Sequence, residues 1–193
     1  LIPIFLLQKI DTRKNGDRQL ITKLSQKSFE EYESQIREWS LISDNPVYLV
    51  SNHWQVVSPY DLFFALARFI TTSQLRLFEE VVMEALCEID PALELEPNMR
   101  MASALFNKDT NYSNKCKEGI CQTLILISVF GERAGMNLEL NITGWVDSIV
   151  RKLLSNQDLS FWQSVESKIH LLAEASPDSF LTSLEGIAKN NPT

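Results

Sequence analysis

The sequence predicts a mainly α-helical protein, an irregular α-solenoid-like helical stack preceded by a small winged-helix-like unit that carries one β-hairpin. Three observations lead there. Between residues 112 and 130, Cys116, Gly119, Ile120, Thr123, Leu124 and Ile127 recur at three- and four-residue steps, the spacing of one helical face, and beyond Thr123 almost no polar side remains. A helix apolar all round is one covered by neighbours, so this one belongs at the centre of the stack. From Pro59 onward, amphipathic helices follow one another through short loops about six times with no strand signal, the order of antiparallel helix pairs. Only residues 47–50 and 54–57 have the β-branched and aromatic composition of strands, and Ser51-Asn52-His53 between them makes a hairpin.

In chain order, residues 1–10 read as the end of a helix, stopped by the polar stretch 11–17 with its Asn15-Gly16. Asp17 can cap a short helix through Leu24, and Ser28 with Glu31 forms a capping box ahead of Phe29, Tyr32, Ile36 and Trp39. The hairpin then closes a winged-helix-like unit over residues 1–58, with residues 59–193 as the helical-repeat region. Ser58-Pro59-Tyr60-Asp61 opens the next helix with a serine cap, an N1 proline and an acid in the first turn. Ser73 is expected to cap a helix with Leu75, Phe78, Val82, Ala85, Leu86 and Ile89 on one side. Glu80, Glu84 and Glu88 lie elsewhere around it, read as a solvated face. Pro91 and Pro97 bracket a non-helical connector, a short helix carries residues 99–105, and a polar loop leads to the central helix. After a break at 131–137, Thr143, Ser160 and Ser176-Pro177 are expected to open three further helices, the last bearing Phe180, Leu181, Leu184 and Ile187.

Composition narrows the function. At 193 residues and 45% hydrophobic the chain can bury a real core. The net charge of -7 is uneven: residues 1–60 hold 7 basic and 7 acidic side chains, and residues 61–193 hold 11 and 18. That counts against a nucleic-acid grip, which needs a basic surface. The start on Leu1 and an apolar run is expected of a piece of a longer polypeptide, with no signal-peptide or membrane-spanning length. Cys87, Cys116 and Cys121 read as reduced, buried thiols, and two histidines, His53 and His170, give little material for zinc or a nucleophile triad. His53 reads as a solvated turn residue, His170 as a satisfied structural histidine, and the four tryptophans as core. Two glycosylation sequons, at Asn111 and Asn141, read as chance. No phosphate-binding glycine loop, nucleophile elbow or zinc-protease motif occurs, so no catalytic residue, cofactor or metal ligand is assigned.

The stretch kept open is the polar loop before the central helix, where Asn107, Lys108, Asp109, Tyr112, Ser113 and Lys117 could form a partner-contact surface, or where Thr110 or Asn111 simply caps the helix. Asn45-Pro46, Trp54-Gln55-Val56-Val57 and Asp61, then Phe78-Glu79, the run from Ile89-Asp90-Pro91 to Leu95, Arg100-Met101-Ala102-Ser103, Lys108, Tyr112-Ser113 and Lys117-Glu118-Gly119 together carry a family likeness. Spread over nearly the whole chain, they resemble a segment of the large bacterial antiviral STAND NTPases. The chain departs from the pattern at Asn107-Lys108, where a Gly-Lys pair is expected, and at Lys117, where arginine is expected. The resemblance implies a non-catalytic, cytoplasmic adaptor and sensor segment. Its partners would be a foreign, phage-derived protein and other domains of its own chain, with oligomerisation driven through the parent NTPase. Two other classes stay open, a helical regulatory or winged-helix DNA-associated domain and a small helical enzyme.

Overall fold

The computed structural model describes residues 1–136, 141–155 and 158–190, the last four of these by backbone alone. Asn137 of the expected break, the Ile187 side chain and the polar tail 191–193 therefore lie outside the described residues. The fold is mainly helical with one small antiparallel sheet.

The first unit runs α1 (Ile2–Leu7), β1 (Lys9–Asp11), α2 (Asn15–Ser25), α3 (Phe29–Ser40), β2 (Val47–Val50) and β3 (His53–Val56), in sheet order β1-β3-β2. Helix, strand, helix, helix and hairpin is the winged-helix-like order expected, with a strand added. Residues 1–10 are not all helix: the chain leaves α1 at Gln8 with φ 57° and enters β1, whose Ile10 pairs with Trp54. Register follows the hydrophobic pattern, because Ile10, Trp54 and Val56 are buried together with Val47. The Ser28–Glu31 capping box forms as expected.

The helical region holds α4 (Pro59–Leu66), α5 (Thr72–Leu86), α6 (Asn114–Phe130), α7 (Ile142–Leu154), α8 (Leu159–Val165), α9 (Ile169–Ala175) and α10 (Pro177–Asn190). Single 3₁₀ segments interrupt it at Ala67–Phe69, Pro91–Glu94, Arg100–Phe106 and Glu166–Lys168, so the first half of the connector between the two prolines is 3₁₀ while residues 95–97 stay non-helical, and the short helix after it is 3₁₀ rather than α. Three N-caps fall two residues before the expected ones: Thr71 for Ser73, Asn141 for Thr143 and Asp158 for Ser160. Each expected residue had a second polar candidate just upstream, and the upstream side chain is the one that accepts from the first helical amides.

Helix α6 is central, touching α1, β1, α5, α7 and α9. Its covering is not complete: Val129 is 56% exposed, and Ile125, Leu126 and Phe130 are half-buried. One hydrophobic core runs from Ile4, Phe5 and Leu7 through Phe63 and Phe78 to Leu124, Ile149 and Leu172, so the units on either side of residue 58 share a core. That sharing depends on close backbone approach. A Cβ at Gly119 of α6 would lie 2.1 Å from the Leu7 carbonyl oxygen, so only glycine lets the end of α1 rest on α6.

Candidate functional site

The polar loop divides into an inner and an outer half. Ser113 is the N-cap of α6: its Oγ accepts from the Cys116 amide at 3.1 Å, a role expected of Thr110 or Asn111. The same residue reaches across to α2. Its amide donates to Asp17 Oδ1 at 2.8 Å and its hydroxyl to Asp17 Oδ2 at 2.6 Å, while the Asp11 amide donates to Asp17 Oδ2 at 2.7 Å. Asp17, expected as a helix cap, is thus a fully buried carboxylate with three donors. Burial pushes its carboxyl above the ordinary range, and the bonds from Asp11 and Ser113 oppose that shift without cancelling it.

The glutamates of α5 complete the seam. The Tyr112 hydroxyl donates to Glu84 at 2.7 Å, the Asn111 amide donates to Glu88 at 2.6 Å, and Lys117 meets Glu88 at 2.8 Å. Lys117 is only 5% exposed, so this is a buried ion pair supplied with further amide donors. Burial and the Glu84 carboxylate raise the Tyr112 phenol well above its ordinary value. Lys23 of α2 spans Glu80 at 2.9 Å and Glu84 at 3.3 Å. Of the row read as a solvated face, Glu80 and Glu84 are exposed as expected, but Glu84 also accepts from Tyr112, and the correction falls on Glu88, which is half-buried and receives the loop. Lys14 adds bonds to the Thr110 carbonyl at 2.6 Å and to Asp109. Gly16 is needed here, since a Cβ would lie 2.6 Å from both the Asn111 carbonyl oxygen and the Tyr112 ring.

Of the six residues expected at a contact surface, Tyr112, Ser113 and Lys117 are buried and engaged within the chain. Asn107 and Asp109 are exposed and Lys108 half-buried, Lys108 paired with Glu94 and Asp109 with Lys14. Immediately upstream, the 3₁₀ segment Arg100–Phe106 buries nothing: Met101 is fully exposed, Leu105 is 84% exposed, and Met99 and Phe106 are about half exposed. Sequence reasoning missed this apolar strip and the partners Lys14, Asp17 and Glu88. The strip's own signal was two apolar pairs, Met99 with Met101 and Leu105 with Phe106, too short for any helical face to bury.

Other candidates resolve differently. His53 is half-buried in β3 rather than a solvated turn residue: its Nε2 lies 3.3 Å from Asp11 Oδ2, and Arg13, which donates to the same carboxylate, holds Asp11 below the ordinary range. His170, expected as a satisfied structural residue, is exposed. Trp54 is core and Trp39, Trp145 and Trp162 pack against the core. Cys116 and Cys121 are buried, burial pushing the Cys121 thiol up to about 12, but Cys87 is exposed. Among the described residues no three His, Cys, Asp or Glu side chains gather as a metal-ligand group, and no helix is long and apolar enough to cross a membrane. No family model, curated protein or solved structure matches the chain.

Proposed function

We propose that this chain is a non-catalytic sensor and scaffold segment of a bacterial antiphage STAND NTPase, one that binds a foreign protein and relays its capture to the NTPase and effector. The observation that carries the reading is the junction at residue 107. An exposed strip of Met99, Met101, Leu105 and Phe106 runs directly into a loop whose inner half is bonded to the winged-helix-like unit through Asp17. Apolar side chains held in water lose unfavourable hydration when a partner covers them. A partner seated on the strip pulls on Asn107 to Asp109, and the seam behind them is the mechanical path to residues 1–58. In this reading the helical region begins the sensor and the N-terminal unit is the adaptor toward the NTPase.

Affinity capture from phage-infected and uninfected bacterial lysates tests it, with the protein, its parent chain and a Met101→Asp/Leu105→Asp variant as baits. An infection-specific protein retained by the first two and lost from the variant is the expected result. Retention by none of the baits removes the reading. The DNA-associated alternative draws on the helix and strand order alone, because residues 47–57 contain no lysine or arginine. Salt-dependent binding to duplex DNA would restore it.

A further inference from the structure

We propose that the groove between α6 and α9 is a binding site for a small oxyanion, with the Lys168 ammonium as its anchor. The groove is open to solvent and offers about 510 Å³, the size of a metabolite site, with Asn114, Glu118 and Gln122 of α6 on one wall and Ser167, Lys168 and His170 on the other. The first three are spaced four residues apart, so one stripe of α6 faces the opening.

Lys168 is what sets this groove apart. It is 5% exposed, the same as Lys117, yet the two cations are treated differently. Lys117 has Glu88 at 2.8 Å, whereas Lys168 forms no ion pair among the described residues. Its Nζ donates to Asn114 Oδ1 at 2.6 Å and to Ser167 Oγ at 2.7 Å, both neutral oxygens. An ammonium has three protons, and the third finds no acceptor among the described residues. Glu118, the carboxylate on the same groove, is already held by Lys9 at 3.3 Å and Gln122 at 3.1 Å. A buried cation with no carboxylate at contact distance is costly, Glu118 and Asp90 acting on it only from farther off, and the groove beside it is where an anion fits. Burial, and next the charge of Lys117, lower the Lys168 ammonium from its ordinary value, against the weaker opposing pull of Cys121, Glu118 and Asp90. Ser167 Oγ, the Asn114 amide and His170 supply further polar groups around the oxyanion. The chemistry suits a phosphate or a carboxylate group equally, so the ligand class is a small phosphorylated or carboxylic metabolite.

Titration of the protein with inorganic phosphate and, separately, with acetate, followed by calorimetry and by the imidazole signals of its two histidines, tests this. The expected result is saturable binding of one or both at a single site, shifting His170 and leaving His53 unmoved. Phosphate binding alone assigns a phosphoryl ligand, and acetate binding alone a carboxylate. Lys168→Met should weaken binding at least tenfold, while Lys115→Met, at an exposed position on α6, should leave it unchanged. The absence of a saturable site in the unsubstituted protein, shifts at both histidines alike, or equal binding by a folded Lys168→Met variant overturns the proposal. The histidine readout in the unsubstituted protein decides the matter even where the Lys168 variant does not fold.

Discussion

Two neighbouring segments, residues 99–106 and residues 110–119, differ in nearly every physical respect. The first is apolar and exposed, held by 3₁₀ bonds and by the Arg100 guanidinium on the Leu93 and Leu95 carbonyls. The second is polar in sequence, yet Tyr112, Ser113 and Lys117 are buried, Lys117 is paired with Glu88, and the Asn111 and Ser113 amides are occupied by Glu88 and Asp17. The lesson is that polarity did not mark the surface. Polar residues form an interior seam because α2 and α5 bring carboxylates to meet them, and the apolar strip stays outside because no element of the described chain lies over it.

The comparison can be broken most severely at the backbone contact. Gly119→Ala places a methyl group against the Leu7 carbonyl oxygen, and urea denaturation should show a loss of about 3 kcal/mol or more. Gly186→Ala, in the open middle of α10, should instead gain about 0.5–1 kcal/mol. Lys117→Met leaves the half-buried Glu88 without its cation, for a loss of about 3 kcal/mol measured in the same way. Ser113→Ala removes both the cap of α6 and one donor to Asp17, a loss of about 1–2 kcal/mol. Smallest is a change of slope with pH. Asp17 binds its proton more tightly folded than unfolded, so its stabilising contribution is full below the ordinary carboxylate value of 3.8 and is lost as pH rises through the raised value. Asp11, shifted the other way, contributes above 3.8 and loses its contribution as pH falls through its lowered value. Thermal unfolding at stepped pH above 3.8 should therefore show stability rising more steeply in Asp17→Asn than in the unsubstituted protein.

Much of the fold was legible because its signals are local. Periodicity located α6, the Ser28-to-Glu31 spacing announced α3, and Ser58-Pro59 announced α4. Strand β1 was not legible: three residues make no pattern, and its partner β3 lies more than forty residues away. The candidate loop was found by its polarity, but its orientation was not, since nothing near residue 113 in sequence reveals that Asp17 waits behind it. Gly16 and Gly119 were visible as residues, whereas the close approaches that require them are properties of the packed chain. The exposed strip escaped for the opposite reason, because apolar residues are normally read as core and its exposure depends on what fails to cover it.

Native-state hydrogen exchange followed amide by amide tests the division most directly. The Asp11 and Ser113 amides, both bonded to buried Asp17, should exchange only with global unfolding, while amides across residues 100–106 exchange through local opening many orders of magnitude sooner. Exchange of the Ser113 amide as fast as that of Met101 would contradict the seam, and with it the path from the exposed strip to the winged-helix-like unit.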